Sequence, residues 1–233
     1  LVSWEPDAEG TEFTVRGIRY AFDNVNWTES FMGAANLDAV PGNGEPLAVQ
    51  LDAANASAIL EVGNVLAQDV AATVTVYSST GAQLLSQIVE LPAHGVRHLI
   101  LDATLNGGAG VAIIDSSVAN SVIAYAMHYG RPGLEYMYAT RAVEPTGNLI
   151  SSSYNSNLSQ GCILNVTNIS GSDVDATVTL TQRDGTNIDT TGVITSSITV
   201  PGHGLSTVDI CSAVPADTYG TVSVFSKDRK SVV

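Results

Sequence analysis

With 233 residues and a formal net charge of −14, the chain has room for two ordinary domains and is too acidic for a nucleic-acid partner. Nine scattered Lys and Arg residues build no basic face, and no run of about eighteen apolar residues reads as a membrane span. Gly, Ser, Thr and Val are abundant and Lys is confined to Lys227 and Lys230, a composition that predicts β-structure with many turns.

The first residues, LVSWEPDAEG, carry neither an initiator Met nor a signal peptide and read as the interior of a longer product. Phe13 and Val15, then Ile18, Tyr20 and Phe22, alternate as a strand does. GIRYAF (17–22) parallels VIAYAM (122–127), with the Tyr-Ala pair at matching places, and Glu29 and Phe31 have counterparts in Glu135 and Met137. Residues 1–43 therefore read as the closing strands of a β unit. A Pro/Gly-rich linker, VPGNGEP (40–46), separates them from the rest of the chain.

Residues 72–95 read ATVTVYSSTGAQLLSQIVELPAHG, and 176–204 repeat the plan as ATVTLTQRDGTNIDTTGVITSSITVPGHG. Each copy has an alternating Thr/Val strand, a Gly-bearing turn, a second strand and a Pro-x-His-Gly corner. The Thr/Val alternation is the two-residue period of a sheet with one buried face. A constant offset of 104 residues relates Ala58 to Cys162 and Ala72 to Ala176, and 109 relates Pro92 to Pro201. Five residues have entered the second hairpin, which a loop accommodates at little cost. The first copy continues through strands at 96–101, 111–114, 122–129 and 134–143. The second repeats this only as far as Ser231, Val232 and Val233, which match Ser121, Val122 and Ile123. The expected organisation is an N-terminal β segment (1–43), a first sandwich (44–146), and a second sandwich (147–233) short of its last strands. Its unfinished sheet then needs another partner.

The paired ATVTV and ATVTL strands, the turn glycines Gly81 and Gly185, the corners PAHG and PGHG, and the late GVAII and GTVSV strands together resemble tandem immunoglobulin-like β-sandwich modules of bacterial cell-surface and secreted proteins. The resemblance covers about 190 residues and implies an all-β fold of two antiparallel sandwiches, with a role as spacer, stalk, adhesin or fibre. It brings no catalytic residues, because such modules share no active site. A Cys, Trp, Cys framework is missing from each unit, so the likeness is to the broad sandwich class.

Cys162 and Cys211 are the only cysteines, and their counterparts Ala58 and Asp102 are both non-cysteine. Joint appearance in one unit predicts a disulfide and an oxidising compartment; the alternative is two separately buried thiols. His94 and His203 share one slot in the two corners, and His98 has no second-copy equivalent, so corner geometry accounts for them and no metal or other cofactor is expected. Asp173, Asp175 and Asp184 read as solvated loop carboxylates, since no D-x-D-x-D-G loop occurs. No G-x-S-x-G elbow marks a hydrolase, and the chain is expected not to be an enzyme. Tyr136 and Tyr138 are spaced for one strand face and are the candidate glycan contact of an adhesin or carbohydrate-binding alternative. N-x-S/T sequons begin at Asn26, Asn55, Asn157, Asn165 and Asn168. The leading expectation is a structural extracellular protein that self-associates or joins flanking domains of the same polypeptide, with Phe13, Val15, Ile18, Tyr20 and Phe22 as its inter-subunit strand.

Overall fold

The computed structural model describes residues 16–22, 31–38, 45–130, 136–145, 149–159, 161–183 and 197–226. The fold is all-β and built of several antiparallel sheets. Two compact units emerge, one within Leu1–Val76 and Gln83–Glu144, the other within Tyr77–Ala82 and Pro145–Val233. No helix among the described residues is long and apolar enough to cross a membrane.

The first unit begins with a hairpin of β1 (Arg16–Phe22) and β2 (Phe31–Asp38). Then come β3 (Leu47–Asp52), β4 (Ala56–Asn64), β5 (Val70–Ser78), β6 (Gln83–Leu91) and β7 (Val96–Ile100). A single turn of helix, α1 (Asp102–Leu105), precedes β8 (Ala109–Ser116), β9 (Val122–Gly130) and β10 (Met137–Arg141). Two four-stranded sheets form, in the orders β3-β8-β5-β6 and β10-β9-β4-β7. Their inner faces meet in one core: Leu51 and Ile114 from one sheet, Leu60, Val62, Ala124 and Ala126 from the other. The Thr/Val alternation does what its period predicts. Val70, Ala72, Val74 and Val76 are buried, while Ala71 and Thr73 face water. Each of the three buried valines contributes about 1.5–3 kcal/mol by leaving water.

The second unit holds β11 (Leu149–Asn155), β12 (Ile163–Thr167), β13 (Val174–Gln182), β14 (Ile198–Val200), β15 (Leu205–Asp209) and β16 (Tyr219–Ser226). The sheet β11-β16-β13-β14 reproduces β3-β8-β5-β6, and β12-β15 reproduces β4-β7. Among the described residues nothing corresponds to β9 and β10. The core shows the difference. Leu47 and Leu60 are 5% and 0% exposed, whereas their counterparts Ile150 and Leu164 are only partly buried.

A buried asparagine joins the two sheets of each sandwich. Asn64, at the end of β4, donates its amide to the carbonyls of Gln68 (2.7 Å), Leu91 (3.1 Å) and Pro92 (3.0 Å), and its Oδ1 accepts Leu66 N–H (2.9 Å). Asn168 does the same toward Ser172 (2.8 Å), Val200 (3.2 Å) and Ser170 N–H (2.8 Å). The backbone N–H groups of Asn64 and Asn168 each donate to the corner glycine carbonyl, Gly95 or Gly204, at 2.9 Å. In both corners the histidine takes left-handed backbone, φ 53° at His94 and 54° at His203, and its N–H donates to Leu66 or Ser170. A Cβ on Gly95 would lie 2.9 Å from Pro92 O, which explains the glycine.

Cys162 and Cys211 form the expected disulfide, with Cα atoms 5.0 Å apart. In the first unit the same place is closed without a covalent bond. The Asp102 carboxylate accepts Ala58 N–H and Ser57 Oγ–H, each at 2.7 Å. One splice therefore has two chemistries, a disulfide in one unit and a charge-assisted clamp in the other.

These nodes make distinct contributions to stability. Asn64→Ala and Asn168→Ala each leave buried carbonyls unpaired and should cost about 3 kcal/mol, read from urea unfolding midpoints. Reducing the disulfide, which closes a separation of 49 residues, should cost the second unit about 4 kcal/mol on the chain-entropy model while leaving the Asp102 clamp of the first unaffected. Calorimetry with and without reductant resolves the two units.

Candidate functional site

Tyr136 and Tyr138 do come together. Their ring centroids are 6.0 Å apart at an interplanar angle of 23°. Tyr138 sits opposite His128 in the β9/β10 ladder, and those two rings stack at 4.3 Å and 12°. His128 is 1% exposed. Its Nε2 accepts the Asp52 backbone N–H at 3.1 Å, so the ring proton belongs on Nδ1, which has no hydrogen-bond partner among the described residues. Burial lowers the imidazole to about 4, against the pull of the nearby Asp52 carboxylate. Burial, helped by Asp52 and Tyr136, also holds the Tyr138 hydroxyl well above the usual phenol range. Tyr138 is 37% exposed and presents one ring face to His128. Tyr138 thus covers a neutral buried imidazole at the β10 margin of the first sandwich, with Tyr136 stacked beside it.

Of the expected inter-subunit strand, Ile18, Tyr20 and Phe22 lie in β1, while Phe13 and Val15 fall outside the described residues. Among the described residues β1 pairs with β2 alone, placing Ile18 opposite Asn36 and Tyr20 opposite Ala34. β2 runs beside β10. Arg19 anchors the hairpin to β4 through a two-pronged bond to Glu61, at 2.5 and 3.0 Å. That hydrogen-bonded partner raises the guanidinium above its ordinary value and so favours its charged form. His98 Nε2 lies 3.4 Å from the same carboxylate. Ile18, next to Arg19 in the strand, is 52% exposed.

The remaining polar candidates serve the fold. Asp173 Oδ1 accepts Gly202 N–H at 3.0 Å and Asp175 Oδ1 accepts Thr199 Oγ–H at 2.8 Å. Both border an open groove of about 420 Å³ with Thr177, Ser197 and Phe225. Asp184 lies outside the described residues. Among those described, no three His, Cys, Asp or Glu side chains converge as a metal site would require. The Asn168 sequon is fully buried with its amide nitrogen bonded, so the folded chain offers no glycan acceptor there. The Asn26 sequon lies outside the described residues.

The second unit supplies a different kind of site, a strand edge with no hydrogen-bonded neighbour among the described residues. β4 is paired on both sides, by β7 and β9, whereas β12 is paired by β15 alone among the described residues. Ile59 on β4 packs with Met127 and Met137, but its counterpart Ile163 on β12 is 56% exposed. The residue types of β12 disclose the strand, and only the comparison of the two copies discloses the side left unpaired among the described residues.

The neutral imidazole makes stability depend on pH with a definite sign. Unfolded His128 takes up a proton near 6.5, while folded His128 resists until about 4. Its contribution is complete above 6.5 and falls away as pH drops from 6.5 to about 4, by up to roughly 3 kcal/mol. Urea unfolding across that interval should show a steeper acid loss for the native chain than for His128→Gln. No protein-family model matches the chain, and a search of curated proteins finds no match.

Proposed function

We propose that the chain is a non-enzymatic structural protein of the cell exterior, a module of a surface stalk or a subunit of an extracellular fibre. The observation that carries this reading is the second unit itself, a disulfide-stapled sandwich with one strand edge left free, among the described residues, for another chain. The disulfide favours an oxidising compartment, since such bonds persist outside the reducing cytosol. The net charge of −14 suits that setting, because like charge limits unspecific association and leaves specific edge pairing to direct it. The tandem immunoglobulin-like resemblance agrees with the same role. Several carboxylates that chemistry would require are engaged in the fold: Asp102 at its clamp, and Asp173 and Asp175 on backbone and hydroxyl donors.

The native, oxidised chain should associate as its concentration rises and should show elongated particles by negative-stain electron microscopy. A chain that sediments as a monomer at every concentration removes the fibre-subunit reading. Intact mass of the native product then shows whether the polypeptide is a module of a longer stalk.

A further inference from the structure

We propose that the free edge of β1 on one copy of this chain pairs with the free edge of β12 on the next, joining copies head to tail through a sheet ordered β2-β1-β12-β15. The inference rests on the fibre-subunit reading of the chain and names the two surfaces that meet. Each of these strands has one hydrogen-bonded neighbour among the described residues, β2 for β1 and β15 for β12. Both carry a large exposed aliphatic beside that edge, Ile18 at 52% and Ile163 at 56%. A free edge is ordinarily guarded by Lys, Pro or a bulge. The β12 sequence ILNVT contains no charge and no Pro, and its ladder to β15 runs without a register shift.

Three further facts select β1 as the occupant. Its sequence GIRYAF parallels VIAYAM of β9, and β9 is the strand that covers the corresponding edge of β4 in the first unit. The β1 sequence RGIRYAF brings no acidic residue to the described part of the second unit, which carries Asp173, Asp175, Asp209 and Asp217 against Arg183. Pairing of β12 with another β12 would instead bring two acidic units together, with Asp209 opposite Ile163 in each ladder. Finally, Arg19 can keep its bond to Glu61 while the β1 edge is used, so the hairpin need not leave its own unit.

Because β1 belongs to one unit and β12 to the other, the contact is heterologous, and repeated addition extends the assembly until its rotation closes a ring or, where it does not close, as an open filament. The test uses two surface variants of the full chain, Ile18→Lys and Ile163→Lys, checked for native melting temperatures. In sedimentation velocity the native chain should grow with concentration and each variant should stay monomeric. Their equimolar mixture should restore one contact and stop at a one-to-one dimer. Should Ile163→Lys not fold, excess synthetic peptide RGIRYAF added to the native chain reads the same edge, and should block growth. Assembly that survives both variants, or ignores the peptide, overturns the proposed contact and leaves the fibre reading standing. A native chain that never associates overturns both. Hydrogen-exchange protection of the β12 amides that face away from β15 in monomeric Ile18→Lys would show the edge covered by the chain's own residues, and would also overturn the contact.

Discussion

Each sandwich hangs on one buried side-chain amide. A sheet-on-sheet fold needs its layers held in register at a crossover, where backbone groups leave one ladder before entering the next and would otherwise be buried unpaired. Asn64 meets that need by ending β4 while holding the carbonyls at the end of β6. Asn168 does so for β12 and β14. The Pro-x-His-Gly corner is a consequence. The chain must turn sharply enough to return its glycine carbonyl to the asparagine backbone, and the left-handed histidine provides that turn. A motif whose histidines invite a metal reading is thus explained by backbone geometry.

The two units show what is essential to the design and what is exchangeable. The asparagine, the corner and the alternating central strand are common to both. The closure between the strand beginning at residue 56 or 163 and the strand after the corner is exchangeable, being an aspartate clamp in one case and a disulfide in the other. Flank coverage differs most. β9 delivers Val122, Ala124 and Ala126 to the first core, and without an equivalent among the described residues the second keeps Ile150, Cys162 and Leu164 only partly covered. A packed interior tolerates such a gap poorly, so the half-covered residues mark where apolar surface has most to gain from a partner.

Much of the fold was legible in the sequence because repetition supplied an internal control. The offsets of 104 and 109 residues correctly paired the central strands, the corners and the positions that became the disulfide. What escaped was either too short or too distant. α1 spans four residues, a single turn, too short for a periodic pattern to show. The Arg19–Glu61 bond links residues 42 apart with no motif between them. His128 had a signal, a lone imidazole in the apolar strand VIAYAMHYG, but its buried position depended on Tyr138 folding over it from another strand. That covering also altered the meaning of the tyrosine pair. Spacing placed Tyr136 and Tyr138 near each other, yet could not show that one of them already lies against a protein ring.

The unequal closures have a mechanical consequence. When a folded unit yields to tension, it lengthens by the contour of chain it had stored. The disulfide between Cys162 and Cys211 removes the 49-residue span between them from that reserve, withholding on the order of 170 Å at about 3.4 Å per residue. A unit closed by a carboxylate has no such limit and unravels through its whole length. Pulled end to end, the chain would behave as two springs in series, the first extensible and the second shackled. Oxidation at one sulfur pair would set how far each link can stretch.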